Sequence, residues 1–126
     1  MSEKPVIIVT GCSSGIGAHC AQALHRDGWR VFATVRRTED MALLEQAGVE
    51  VLLMDYTVPE TIPALVDEVA ARTGGRIDAL FNNGAYGQPG AVEDLSVEVL
   101  RAQFETNLFG WHDLTCRVIP FMRRQG

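Results

Sequence analysis

The octapeptide Thr10-Gly11-Cys12-Ser13-Ser14-Gly15-Ile16-Gly17 decides how this sequence is read. Before it stands the β-branched run Val6-Ile7-Ile8-Val9, bounded by Pro5, with the length and composition of a buried strand. After it Ala18, Ala21 and Leu24 recur at helical spacing from Ile16 to His25, until Asp27-Gly28 stops the pattern. A glycine-rich turn between a strand and a helix aims backbone N–H groups at the helix N-terminus, where the helix dipole favours an anion. The spacing here is G-x-x-x-G-x-G and not G-x-G-x-x-G, but the physical demands are alike. Gly11 permits a tight exit from the strand, Gly15 lets backbone approach a pyrophosphate, and Gly17 lets helix and sheet pack closely. Ser13 and Ser14 add hydroxyls. No Lys follows Gly15 or Gly17, which excludes a P-loop.

Further along the chain the alternation repeats. Arg30–Val35 reads as a second strand, Glu39–Ala47 as a short helix capped by Thr38, and Glu50–Met54 as a third strand. Thr57-Val58-Pro59-Glu60 has the form of a capping box opening a helix that runs to about Arg72 and ends at Gly74-Gly75. Ile77–Phe81 is a fourth strand, followed by the loop Asn82–Gly90. A long helix closes the chain, with Ser96 as N-cap. Val97, Leu100, Phe104, Leu108, Trp111, Leu114, Val118 and Met122 lie on one stripe, expected to be core or a helix–helix interface; Pro120 is expected to end or kink it. Strands alternating with helices predict an α/β fold. It is a Rossmann-type parallel sheet of about four strands in the order 3-2-1-4, with helices on both faces.

With 126 residues, 47% apolar and 21% charged, the chain is expected to be one globular domain, residues 1–126, with no second domain. Its net charge of −5, with Lys4 the single lysine, argues against a nucleic-acid or anionic-membrane surface. Cys12, Cys20 and Cys116 form no C-x-x-C pair, and His19, His25 and His112 show no metal spacing, so no metal site is expected. Cys12 is read as a small packing residue, though it sits where a helix dipole can lower a thiol pKa. With neither a signal peptide nor a transmembrane run legible, the cytoplasm is the expected compartment.

The octapeptide resembles the cofactor-binding turn of the short-chain dehydrogenase/reductase family, and the resemblance continues along the chain. Asn82-Asn83-Gly84-Ala85 is similar to that family's Asn-Asn-Ala-Gly motif with the last two residues exchanged. Thr106-Asn107-Leu108-Phe109-Gly110 is similar to its Asn-x-x-Gly element, and Asp55 matches its adenine-contacting aspartate. The local wording is closest to the hydroxysteroid and retinol dehydrogenase-like branch. The resemblance implies a nicotinamide dinucleotide bound by Gly11, Ser13, Ser14, Gly15, Ile16, Gly17, Asp55, Asn82 and Ala85. It makes Asn107 the asparagine of the catalytic set, whose backbone helps hold a water.

Cofactor choice has its own physical argument. An acidic side chain at the end of the second strand suits NAD, because it bonds the ribose 2′-OH. Here Val35 is followed by Arg36 and Arg37, and a guanidinium pairs well with a phosphate. NADP is therefore expected over NAD, with Arg36 the stronger candidate; Arg37 stands near Glu39 and Asp40.

The family's reaction uses a tyrosine with a lysine four residues later. Tyr56 is followed there by Glu60 and Tyr86 by Gly90. The resemblance thus implies the first half of an oxidoreductase for an alcohol/carbonyl pair, with no turnover by these 126 residues alone. The other reading kept open is a non-catalytic dinucleotide-binding or interaction module. Self-association through the edge of strand four or the long C-terminal helix is also expected.

Overall fold

A computed structural model describes residues 3–126 of the chain. Four strands, β1 (Val6–Val9), β2 (Arg30–Val35), β3 (Glu50–Leu53) and β4 (Ala79–Phe81), form one sheet in the order β3-β2-β1-β4. All three pairings are parallel, with Ile8 opposite Phe32 and Leu80, and Ala33 opposite Val51. Five helices connect and follow them: α1 (Gly15–Arg26), α2 (Ala42–Gln46), α3 (Thr61–Thr73), α4 (Val97–Phe104) and α5 (Gly110–Gln125).

Side chains alternate across a strand, so a buried strand feeds two cores. Ile7 and Val9 point to one face, with Val31, Ala33 and Val35, and meet Ala21 of α1 and Leu44 of α2. Val6 and Ile8 point to the other, with Phe32, and meet Ile62, Leu65, Val66 and Val69 of α3 and Leu114 and Val118 of α5. The expected Rossmann-type arrangement, with helices on both faces, is what forms.

Several local expectations need correction. The segment Glu39–Ala47 is not one helix: Thr38–Asp40 is a 3-10 turn, without a side-chain cap, and α2 begins at Ala42. Thr57 does not cap α3. Asp55 offers a closer carboxylate, and Oδ1 of Asp55 accepts both the Thr57 N–H at 2.9 Å and its hydroxyl at 2.7 Å. The helix therefore starts at Thr61 with Glu60 at its N-cap, three residues later than the sequence pattern suggests.

The long helix is not continuous. Ser96 does cap α4, accepting the Val99 N–H at 3.2 Å, but residues 105–109 adopt a π-helical turn before α5 begins. Pro120 does not end α5, which continues to Gln125. Proline removes one helical N–H, and docking compensates: Gln125 accepts the Ile77 N–H at 2.8 Å and donates to the Ile77 carbonyl at 3.0 Å. The apolar stripe is only half in the core. Leu114 and Val118 are buried, whereas Val97, Leu100, Phe104 and Leu108 are exposed.

Candidate functional site

The three-residue gap between β1 and Ser13 puts the glycine turn at the C-terminal end of the sheet, the edge where open α/β sheets bind ligands. A cleft of about 680 Å³ opens there. Of the residues expected from the sequence, Gly11, Ser13, Ser14, Ile16, Arg36, Asp55 and Ala85 line it together.

The glycines shape this edge by what they leave out. A Cβ on Gly17 would lie 2.2 Å from the Gly11 carbonyl oxygen and 2.7 Å from Nδ2 of Asn83. A Cβ on Gly11 would lie 2.6 Å from Cα of Gly84. The turn is thus pressed against the loop after β4, and neither Gly15 nor Gly17 itself lines the cleft. Gly15 has open space around it, but its φ of +60° is a conformation that other residues adopt at a cost. Ser14 occupies the N-cap of α1 in extended conformation without making a capping bond, and the first turn of α1 carries no acidic residue. The helix end therefore presents N–H groups and two exposed serine hydroxyls to an incoming anion.

The two arginines part company. Arg36 lines the cleft just beyond β2 and has no ion-pair partner among the described residues. Arg37 lies outside the cleft lining, with its guanidinium 3.6 Å from Asp40 and 3.9 Å from Glu39. Asp55 faces the cleft with Oδ1 engaged by Thr57, which fixes the carboxylate plane.

The side chains of Asn82 and Asn107 bond within the protein, and neither residue lines the cleft. Oδ1 of Asn82 accepts from the Tyr56 hydroxyl at 2.7 Å, and its Nδ2 donates to Thr115 Oγ1 at 3.0 Å, so its side chain is spent inside the protein. Asn107 lies in the π-helical turn and outside the cleft lining. Its carboxamide holds the backbone of Tyr86, whose carbonyl also accepts from Gln103 Nε2 at 3.3 Å.

Sequence reasoning passed over Tyr56, Asn83, Gly84, Tyr86 and Thr106, all of which line the cleft. Asn83 stitches the two loops, donating from Nδ2 to the carbonyls of Thr10 and Gly11 at 3.2 Å each. Its place beside Asn82 was the available signal; nothing local marks Tyr56. Burial pushes the Tyr56 phenol up to about 12, against the lowering effect of its bond with Thr10. Burial likewise pushes the Cys12 thiol up to about 12, so the residue packs as a neutral thiol, as the sequence suggests. No group of three or more metal-ligating side chains occurs among the described residues, and no helix among them is long and apolar enough to cross a membrane.

The residues present fit a dinucleotide. A helix N-terminus, serine hydroxyls, an arginine without an ion-pair partner among the described residues and a carboxylate border one cleft. The family model for short chain dehydrogenase matches residues 5–126. The uncharacterized oxidoreductase YbbO of Escherichia coli is 37% identical over 120 residues, which cover 95% of this chain and 45% of that protein. A crystal structure of a short-chain dehydrogenase from Streptomyces avermitilis superposes with a TM-score of 0.94 at 38% identity, over 99% of this chain and 47% of that one. Actinorhodin polyketide ketoreductase with NADPH superposes with a TM-score of 0.84 at 35% identity, over 94% of this chain and 48% of that one. The chain therefore spans about half the length of the relatives it matches.

Proposed function

The chain belongs to the short-chain dehydrogenase family, and we propose on that basis that residues 1–126 are the dinucleotide-binding half of an NAD(P)-dependent oxidoreductase. It acts on an alcohol/carbonyl pair and prefers NADP. The observation that carries this reading is the single cleft shared by the α1 N-terminus and the unpaired Arg36. The N–H groups and serine hydroxyls at the start of α1 bind the pyrophosphate. Arg36 pairs with the 2′-phosphate, and Asp55 accepts from the adenine amino group. Ala85 and the neighbouring backbone border the ribose. When bound, the nicotinamide supplies the hydride acceptor or donor for the substrate carbon.

Titration with NADPH and NADH tests this reading. A charge-assisted bond contributes about 1.5–3 kcal/mol, so Arg36→Ala should lower the NADPH/NADH affinity ratio by about tenfold or more. Arg37→Ala should leave the ratio unchanged, since that guanidinium faces Glu39 and Asp40. An unchanged ratio in Arg36→Ala refutes NADP preference.

Binding without turnover is expected of these 126 residues. Tyr56 is a buried phenol held neutral, Tyr86 has Gly90 four residues on, and the single lysine, Lys4, precedes β1. NADPH-dependent carbonyl reduction by the isolated chain would overturn this. A non-catalytic dinucleotide-binding module makes the same binding prediction and differs only in lacking any catalytic half. Three free cysteines suit a reducing compartment such as the cytoplasm. Self-association through the β4 edge or the exposed Val97, Leu100, Phe104 and Leu108 face is expected, and a concentration-independent monomer in sedimentation would refute it.

A further inference from the structure

At the wall of the cleft, the side chains of Thr10, Tyr56, Asn82 and Thr115, from four parts of the fold, form one chain of hydrogen bonds. We propose that Tyr56 is the positioning residue of this site: its hydroxyl joins Thr10 to Asn82 and so holds the Asn83–Gly84 edge of the cleft against the glycine turn.

The direction of every bond in this circuit follows from counting protons and lone pairs. Oγ1 of Thr10 accepts two backbone N–H groups, from Asn83 at 2.9 Å and from Gly84 at 3.0 Å. Both lone pairs are then used, and its proton is free to donate. Thr115 Oγ1 lies 2.7 Å from the Trp111 carbonyl, which can only accept, so the Thr115 proton goes there. Thr115 must then accept from Asn82 Nδ2 at 3.0 Å, which turns Asn82 Oδ1 toward Tyr56. A carbonyl oxygen cannot donate, so the single Tyr56 proton goes to Asn82 at 2.7 Å. Tyr56 Oη in turn accepts from Thr10 at 2.8 Å, a contact shorter than the 3.4 Å from Thr10 Oγ1 to the Phe81 carbonyl.

The chain of bonds closes on itself. Trp111 Nε1 donates to the Gly84 carbonyl at 2.7 Å, so Gly84 is bound at its N–H by the first member of the circuit and at its carbonyl by the last element. Tyr56 joins Thr10 to Asn82 on the buried side of this circuit, as Gly84 joins Thr10 to Trp111 on the other, and the fold makes room for its ring. A Cβ on Gly110 would lie 2.5 Å from Tyr56 Cβ, and a Cβ on Gly84 would lie 3.1 Å from Tyr56 Cε2. Removing the hydroxyl leaves Thr10 without its best acceptor and Asn82 without its donor, in a region with no buried side-chain polar atom lacking a partner among the described residues.

The test uses Tyr56→Phe, which keeps the ring, and Thr115→Val, which breaks the circuit at its other end. Two readouts are taken: the indole N–H resonance of Trp111 with the Asn83 and Gly84 amide resonances in ligand-free protein, and NADPH affinity. The second rests on the dinucleotide reading; the first does not. Each single variant should move those resonances and weaken NADPH binding by about five- to tenfold. The double variant should be little worse than either single, since both break one network. Val69→Ala, a cavity in the same core at a residue that does not line the cleft, should lower Tm while leaving resonances and affinity in place. The proposal falls if Tyr56→Phe lowers Tm alone, or if the two single effects simply add. Should wild-type protein not bind NADPH, the dinucleotide reading fails and the resonances decide the positioning role. Should Tyr56→Phe not fold, Thr115→Val decides.

Discussion

The carboxamide of Asn107 grips the backbone of Tyr86 on both sides: Oδ1 accepts the Tyr86 N–H at 3.2 Å, and Nδ2 donates to the Tyr86 carbonyl at 2.7 Å. An asparagine side chain imitates a peptide group, so it pairs with a backbone segment as a strand would. The loop after β4, which borders the cleft, is thereby tied to the π-helical turn. Asn107→Asp keeps the acceptor, but at neutral pH sets a carboxylate oxygen against the Tyr86 carbonyl. We expect a loss of about 1–3 kcal/mol in local stability, read as faster hydrogen exchange at Tyr86. Below about pH 4 the aspartate is protonated and can donate again, so protection should recover. Unaltered exchange at neutral pH would show that the grip is not formed in solution.

The glycine positions should differ sharply under alanine substitution. Gly17→Ala forces a Cβ to 2.2 Å from a backbone oxygen, and Gly110→Ala forces one to 2.5 Å from Tyr56. Neither contact can relax without moving backbone or a buried ring, so both variants should lose several times the stability lost by Gly15→Ala. That last variant meets open space and suffers only its positive φ, about 1 kcal/mol. Equal thermal shifts for Gly15→Ala and Gly17→Ala would contradict the packing of the turn against Asn83.

Alkali should unfold the protein earlier than its other groups suggest. Burial raises Cys12 from 9.0 to about 12 and Tyr56 from 10.0 to about 12. Both are held protonated in the fold, so the unfolded chain releases these protons first. Stability is complete below about pH 9 and is lost progressively as pH rises toward 12. Cys12→Ala should shift the onset of this loss upward in denaturant titrations at graded pH. An onset unchanged by that substitution would exonerate the thiol.

Thiol labelling should follow exposure. Cys116 is exposed, with its sulfur 3.4 Å from His112 Nε2, Cys20 is half-buried, and Cys12 is buried with its thiol bonded to the Val9 carbonyl at 3.2 Å. With a disulfide reagent at neutral pH, Cys116 should react first and Cys12 only on unfolding. Rapid modification of Cys12 in native protein would mean that the glycine turn opens.

Some of this was legible from neighbouring residues alone. The run Val6–Val9, the glycine turn and the pattern from Ile16 onward specify strand, turn and helix, because each depends on side-chain branching, missing Cβ atoms and spacing within a few positions. Arg36 after β2 and Asp55 after β3 were legible for the same reason: strand ends in a parallel sheet converge on one edge. Where two local signals competed, the sequence misled. Thr57 had a helix to cap and a carboxylate two residues back, and it took the carboxylate. Pro120 carried a stop signal that the docking of Gln125 on Ile77 overrode.

The partners inside the site were settled only by the fold. Tyr56 meets Thr10 across 46 positions, Asn82 meets Thr115 across 33, and Asn107 meets Tyr86 across 21. Each of these groups has several possible partners of equal chemistry along the chain. Distance and burial in the folded state choose among them, because a polar group shut away from water must bond whatever the packed backbone brings within about 3 Å.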